Sequence, residues 1–225
     1  MTDKVDMETI QADFDRLALL EGEGWNHNNH YHDFLLRQVH VHCRNAMEIG
    51  CGAGAFARLL AQKSEHVLAL DLSPQMIALA KEHSQQYTNI DYQVADVLSW
   101  DFVPGQFDCI VSIATLHHLP MAAILTKLKT LLAPNGTLIV LDLYQARLSD
   151  LPVILIAIIA NFVLKFLKTG HIKESKAVRE AWAEHGKHDR YLTLAELRAI
   201  CKEILPGARV RRRLFWRYSL VWRKR

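Results

Sequence analysis

The chain has little from which to build a covalent framework. Its 225 residues include four cysteines, Cys43, Cys51, Cys109 and Cys201, with no CxxC pair among them. That pattern fits a reducing cytosol better than a disulfide scaffold. No internal repeat or low-complexity tract is present, so a repeat architecture is not expected. The opening MTDKVDMETIQADFDRL is polar and acidic; with no apolar h-region it predicts no secretory signal and a cytoplasmic protein. Charge of one sign is missing as well: 27 basic residues face 24 acidic ones, so overall charge does not mark a nucleic-acid binder. Half the residues are apolar and 23% charged, which excludes wholesale disorder. At this length one core can bury roughly 70% of the unfolded chain's surface without a metal or disulfide staple.

Two features are unevenly placed. Residues 209–225 hold eight basic side chains and no acid, so the net +3 of the chain hides an acidic body. Leu151 to Phe166 (LPVILIAIIANFVLKF) is interrupted only by Asn161 and Lys165. A spanning helix needs about 20 apolar residues, and this run ends before that at Lys165 and Lys168.

From Asn45 to Leu143 strand-like and helical patterns alternate. AMEIG, HVLALD, IDYQVAD, FDCIVSIA and GTLIVLDLY read as strands. AGAFARLLAQK, SPQMIALAKEHS and MAAILTKLKTLL read as the helices between them, with Ser73 as N-cap and Pro74 at the first helical position. Apolar strands of this kind predict a doubly wound, mostly parallel sheet covered on both faces. Beyond Tyr144 the rhythm breaks. A helix over 151–168 precedes a polar stretch, and Thr193 with Glu196 forms a capping box opening LAELRAICKEIL, which stops at Pro206-Gly207. The end reads as two strands joined near Trp216-Arg217, with Leu214, Leu220 and Val221 facing the core. The expected organisation is a helical cap (1–44), a Rossmann-like core (45–144), an apolar helical lid or insertion (145–190), and a helix with an antiparallel hairpin (191–225) that brings the same sheet to seven strands.

Three of the ten glycines fall in Gly50-Cys51-Gly52-Ala53-Gly54, after the first strand. Glycine there lets the backbone turn sharply and a ligand approach without a Cβ in the way. Asp71 ends the next strand 21 residues after Gly50, where a carboxylate can hold ribose hydroxyls. The same loop also satisfies the dinucleotide pattern GxGxxA, so a second reading stays open on this evidence. Glu48 two residues before Gly50, Asp96 ending the third strand, SIATLHHLP after the fourth and LLAPNGTLIVLD into the fifth argue against it.

In order, AMEIGCGAGAFARLLA, VLALDLSPQMIALAK, YQVADVLSW, FDCIVSIATLHHLP and LLAPNGTLIV resemble the successive motifs of class I S-adenosylmethionine-dependent methyltransferases. The resemblance covers about residues 45–143. It implies that Gly50 and Gly52, with Cys51 between them, leave room for the methionine and ribose parts of S-adenosylmethionine. Glu48 would hold its amino group and Asp71 its ribose hydroxyls, with Leu72 and Met76 on the adenine. Asp96 would bond the adenine amino group, the Val97 N–H its ring nitrogen, and the Ile113 carbonyl the cofactor's ammonium.

His117 and His118 follow the fourth strand, at the edge where open parallel sheets bind ligands. An imidazole can act as a base at neutral pH, so both are catalytic candidates, with His117 the candidate base. LHHL-like segments are widespread in the family, which suits a structural or cofactor-side role for one of the pair. Trp25 to His32 (WNHNNHYH) precedes the first strand, where relatives fold a helix over the cofactor. Tyr31 or His32 would then touch the cofactor carboxylate or the reacting atom. No HExxH pattern or nearby Cys/Asp set completes a zinc site around His27, His30 and His32, so no metal is expected.

The insertion is expected to decide the acceptor, as a lid over a hydrophobic site, a homodimer contact, or a peripheral membrane attachment through 151–168. Asp150 and Pro152 suit its start, and Lys165, Lys168 and Lys173 suit both anionic head groups and a helix C-terminus. Arg211, Arg212 and Arg213 with Phe215, Trp216 and Trp222 raise RNA as an alternative substrate. A basic edge strand explains the same residues. The sequence therefore points to methylation of a small, apolar acceptor; the alternatives are RNA or protein methylation, or a membrane-attached, non-catalytic cofactor binder.

Overall fold

A computed structural model describes residues 7–20, 25–147, 150–169, 176–186 and 189–225; Lys173 lies outside them. The chain begins with α1 (Met7–Ala18) and a short α2 (His32–Leu36). The alternating region follows as β1 (Cys43–Ile49), α3 (Ala55–Ala61), β2 (Ser64–Asp71), α4 (Pro74–His83), β3 (Ile90–Val94), β4 (Phe107–Ile113), α5 (Met121–Leu131) and β5 (Leu132–Leu143). Then come α6 (Leu151–Thr169), α7 (Lys176–His185), α8 (Leu194–Ile204), β6 (Arg209–Arg212) and β7 (Arg217–Arg223).

The seven strands form one sheet in the order β3-β2-β1-β4-β5-β7-β6. β1 to β5 pair in parallel, and β7 runs antiparallel between β5 and β6. The expected sheet is therefore the one observed. The order reverses between β1 and β4, so the loops leaving these two strands diverge and open a crevice at their carboxyl ends. Met47, Ile110 and Leu138 fill one face of the sheet and Ala46, Val111 and Ile139 the other, which explains the continuous apolar runs in the sequence.

Local signals formed as read. Ser73 accepts the Met76 N–H at 3.0 Å, and Thr193 with Glu196 completes the capping box. The closing turn places Phe215 and Trp216 at φ 59° and 55°, a conformation L-residues adopt only under tertiary constraint. Phe215 supplies part of that constraint, fully buried and stacked on His27.

Of the three covers expected for the apolar helix, the protein itself supplies little to α6. Among its described residues only Ala157 is buried; Ala160 and Leu164 pack beside it on the core, and Asn161 meets His27 Nε2 at 2.8 Å. On the other side Leu155, Ile159, Phe162, Val163, Phe166 and Leu167 are each more than half exposed. The stretch Leu151–Lys168 is, contrary to the sequence reading, long and apolar enough to cross a membrane. The Asp150 carboxylate, at the start of α6, accepts the Arg147 N–H at 2.9 Å and pairs with Arg212 of β6.

Candidate active site

A cavity of about 1350 Å³ opens at the carboxyl ends of β1, β2 and β4. Pockets for one small ligand run to roughly 300–1,000 Å³, so this one has room for a cofactor and an acceptor together. α1 and α7 cover it through Ile10, Phe14, Trp182 and His185. α6 contributes only Lys168 to the lining among the described residues. The insertion does shape the cavity, but through α7 and Asp189 rather than through the apolar helix that the sequence favoured as the lid.

The glycine loop forms one wall. Gly50 and Gly52 have φ of +70° and +50°, values that exclude most side-chain-bearing residues. A Cβ on Gly50 would stand 2.0 Å from Thr115 Oγ1, whereas one on Gly52 would meet nothing within 4 Å. Gly50 thus lets the β1 and β4 loops touch, while Gly52 keeps the cavity clear. Gly50 and Cys51 donate their N–H groups to the Leu70 carbonyl at 2.8 and 3.0 Å, joining the loop to β2. Asp71 binds the loop to its own turn: one carboxylate oxygen accepts from Gly52 N–H at 2.8 Å and the other from Ser73 N–H at 2.9 Å. With the Leu72 N–H as a further backbone partner, the carboxylate's roughly four acceptor sites still leave one for a ligand.

Glu48 is buried behind this loop, and its Oε2 finds no hydrogen-bond partner among the described residues. Burial pushes its carboxyl well above the ordinary range, the Asp71 charge adds to this, and Arg58 offsets part of it. A buried carboxyl oxygen left without a partner at the cavity wall calls for a partner on the ligand. Asp71 is also raised, mainly by burial, against the backbone N–H groups that favour its charge. Leu72, Met76, Asp96, Val97, Ile113, Cys51 and His32 all line the same cavity. Asp96 Oδ1 accepts the Leu98 N–H at 2.8 Å; the Ile113 carbonyl takes the Thr115 hydroxyl at 3.0 Å and keeps one lone pair. Burial, opposed by Asp33, brings His32 down to about 4, so it is neutral at pH 7.

Tyr31 departs from its expected place. It is buried, lies outside the residues lining the cavity, and donates its hydroxyl to the Leu214 carbonyl at 3.2 Å. Its role is to hold the closing hairpin. The neighbouring His27 is stacked on Phe215 and is likewise tied to that hairpin.

The opposite wall is a cluster of imidazoles and acids. His117 and His118 sit on a single 3-10 turn after β4. His117 Nδ1 lies 2.6 Å from Asp142 Oδ1, and its backbone N–H donates to Asp142 Oδ2 at 3.0 Å. Burial alone would lower His117, but the charge and hydrogen bond of Asp142, with Asp189 beyond, outweigh it and hold the imidazole above its usual value. His118 is pulled to about 2 by burial, reinforced by His117 and His185, and stays neutral. Asp189 is bonded by the Tyr191 hydroxyl through Oδ2. His185 Nδ1 faces Asp13 of α1 at 3.2 Å. Sequence reasoning missed Asp142, Asp189, His185 and Asp13. Only Asp142 carried a local signal, as an acid inside the apolar strand GTLIVLDLY.

Residues 46–136 match the family model described as a methyltransferase domain. Over 213 residues the chain is 30% identical to an uncharacterized methyltransferase of Mycobacterium tuberculosis (strain ATCC 25618 / H37Rv), covering 88% of this chain and 96% of that protein. It is 26% identical over 203 residues to the ubiquinone biosynthesis O-methyltransferase of Xylella fastidiosa (strain 9a5c), covering 81% and 80%. Among solved structures, the N-methyltransferase NodS from Bradyrhizobium japonicum WM9, in complex with S-adenosyl-L-homocysteine, shares the fold at 18% identity. There the TM-score is 0.57, over 99% of both chains. With the five collinear motifs, the sheet order and a full-length relative in agreement, this chain belongs to the class I S-adenosylmethionine-dependent methyltransferases.

Proposed function

We propose that the chain methylates a small, apolar acceptor carrying a protic nucleophile, bound between the glycine loop and the His117–His118 turn. The observation that carries this reading is the single cavity joining the loop and its acids to the imidazole cluster, roofed by Phe14 and Trp182. Glu48 and the Ile113 carbonyl fit an ammonium group, Asp71 a ribose hydroxyl, and Asp96 with Val97 the adenine edge. Leu72, Met76 and His32 supply the surface against which the cofactor packs.

S-adenosylmethionine supplies a methyl group already activated on a sulfonium. What remains for the protein is to align the nucleophile at about 3–3.5 Å, exclude water and receive a proton. The walls that α1 and α7 contribute would limit the access of water. The His117–Asp142 pair marks where the proton leaves, because Asp142 orients the ring and stabilises charge on it.

A relative named for ubiquinone biosynthesis supports a lipophilic acceptor. The fate of the basic tail supports it further: Arg213 lies over the Phe34 ring, Arg217 is buried on Asn28 and the Phe215 carbonyl, and Arg223 bonds the Asn135 carbonyl. These arginines serve the hairpin, which weakens the RNA reading. The test is transfer from methyl-tritiated cofactor to a panel of lipophilic phenols and amines beside bulk RNA and protein. Label in the extractable small molecules is expected; label confined to RNA or protein would overturn the proposal.

The open face of α6 favours a second element of the reading: attachment to an anionic membrane surface. The helix is about 28 Å long, and Ala157, Ala160 and Leu164 pack it onto the protein. It therefore cannot be surrounded by lipid, but it can lie in the interface plane. At its start Arg212 is neutralised by Asp150; positive charge stands at its C-terminal end, from Lys165 and Lys168. Such a helix beside the cavity would let an apolar acceptor enter from the bilayer.

A further inference from the structure

The wall opposite the glycine loop contains an arrangement that methyl transfer alone does not require. Three imidazole nitrogens converge on one carboxylate oxygen. From Asp189 Oδ1, His118 Nδ1 is 3.4 Å away, His185 Nε2 3.6 Å and His117 Nε2 3.9 Å. Charge-assisted hydrogen bonds close to about 2.7–2.9 Å, as His117 does with Asp142 at 2.6 Å. None of the three closes on Asp189, and Oδ1 is left buried without a hydrogen-bond partner among the described residues.

The 3.4 Å between His118 and Asp189 is that of neighbouring donors around a cation, and His117, at 3.9 Å, would have to close by a few tenths of an ångström. Zinc-type bonds of about 2.0–2.2 Å at tetrahedral angles put adjacent ligand atoms roughly 3.3–3.6 Å apart. Ligand atoms of His117, His118 and Asp189 all lie within 4.8 Å of one another, and their side chains are no more than 6% exposed. We propose that His117, His118 and Asp189 hold one divalent transition-metal cation at the acceptor end of the cavity. Nitrogen and carboxylate donors of this kind suit zinc, iron(II) or manganese(II) better than calcium or magnesium.

The surroundings of these donors also match a metal site in part. A ligating histidine is commonly held by a carboxylate on its far nitrogen. His117 has Asp142 in that position, whereas the far nitrogen of His118, Nε2, is buried without a partner among the described residues. Tyr191 fixes the second oxygen of Asp189, so the ligand oxygen is aimed at the cluster. Asp189, His117, His118 and Tyr191 line the cavity, and three protein ligands leave one position for the acceptor's heteroatom. With the cation bound, His117 Nε2 would be a ligand rather than the base, and the cation would instead ease loss of the proton by lowering the acceptor's own pKa. The proposal rests on the methyltransferase reading for what occupies that position, though not for the binding of the metal.

The experiment uses the full-length chain, stripped with a chelator and titrated with Co²⁺, whose visible ligand-field absorption reports nitrogen and oxygen coordination. One saturating equivalent, displaced by Zn²⁺, is expected. Asp189→Asn and His118→Gln should weaken it 10- to 100-fold, with circular dichroism confirming that both variants fold. The absence of a saturable band, or one of equal affinity in both variants, would overturn the site; the latter would place the ion elsewhere, as on the histidines of segment 27–32. Calorimetry with S-adenosylmethionine on the same samples separates the two readings. If cofactor heat persists without a cobalt band, only the metal site fails. If the band appears without cofactor heat, only the methyltransferase reading fails.

Discussion

His117 Nδ1 stands 2.6 Å from Asp142 Oδ1, joining the turn after β4 to the end of β5. Because Asp142 is fully buried and also accepts the His117 N–H, it fixes both the ring and the turn that carries it. Asp142→Asn is expected to lower kcat by about 10²- to 10⁴-fold, the usual worth of a positioned proton-transfer group, while cofactor affinity changes less than twofold. Single-turnover methyl transfer alongside calorimetry measures both. A parallel loss of cofactor binding would give Asp142 a purely structural role.

Gly50 and Gly52 should respond differently to alanine. At Gly50 the new Cβ meets Thr115 at 2.0 Å, so Gly50→Ala should lower the melting temperature by several degrees, in line with about 1–3 kcal/mol of strain. At Gly52 the Cβ meets open cavity, so Gly52→Ala should melt closer to wild type and still lose cofactor affinity by tenfold or more. Thermal melts with and without S-adenosylmethionine distinguish the two.

Asp71 organises the loop through Gly52 and Ser73. Asp71→Asn should weaken S-adenosylmethionine by about 10- to 100-fold, corresponding to roughly 1.5–3 kcal/mol for hydrogen bonds to a charged group. Unchanged heats in calorimetry would remove it from the cofactor site.

Glu48 sets a pH dependence of known sign. Its folded carboxyl is raised above its unfolded value, so the native state holds the proton more tightly. That contribution to stability is full below the unfolded pKa near 4.3 and is lost as pH rises through the folded value. His32 and His118 are lowered and act in the opposite direction, so the informative quantity is a difference. The stability of wild type minus that of Glu48→Gln should fall as pH rises from about 4.3. In wild type, cofactor binding should release a proton, measured by calorimetry in buffers of different ionisation enthalpy.

The open face of α6 predicts flotation with liposomes of anionic lipid. Phe162→Glu with Phe166→Glu should abolish it while leaving cofactor binding intact, since neither residue lines the cavity. Flotation unchanged in the double variant would exclude this face as the attachment.

Much of the fold was legible because its determinants are local. The Ser73 cap, the Thr193–Glu196 box and the apolar runs of β1, β4 and β5 each act within a few residues, and each formed as read. That these residues meet in one cavity was legible for a related reason: Glu48, Gly50, Gly52, Asp71 and Asp96 sit at or beside strand ends, which the parallel topology brings to one edge. Tyr31 was misplaced because an aromatic in a polar segment carries no sign of which carbonyl will take its hydroxyl; here that is Leu214.

The sequence by itself determined an α/β chain with four scattered cysteines, the glycine loop with its acids, and an apolar segment at 151–168. Only the tertiary structure decided what faces that loop. Asp13, Asp142, His185 and Asp189 come from α1, β5, α7 and the segment after it, and no periodicity links such distant positions. It also decided that α6 buries a single stripe. Whether an apolar residue is covered depends on the surface opposite it, and here the core offers room only for Ala157, Ala160 and Leu164.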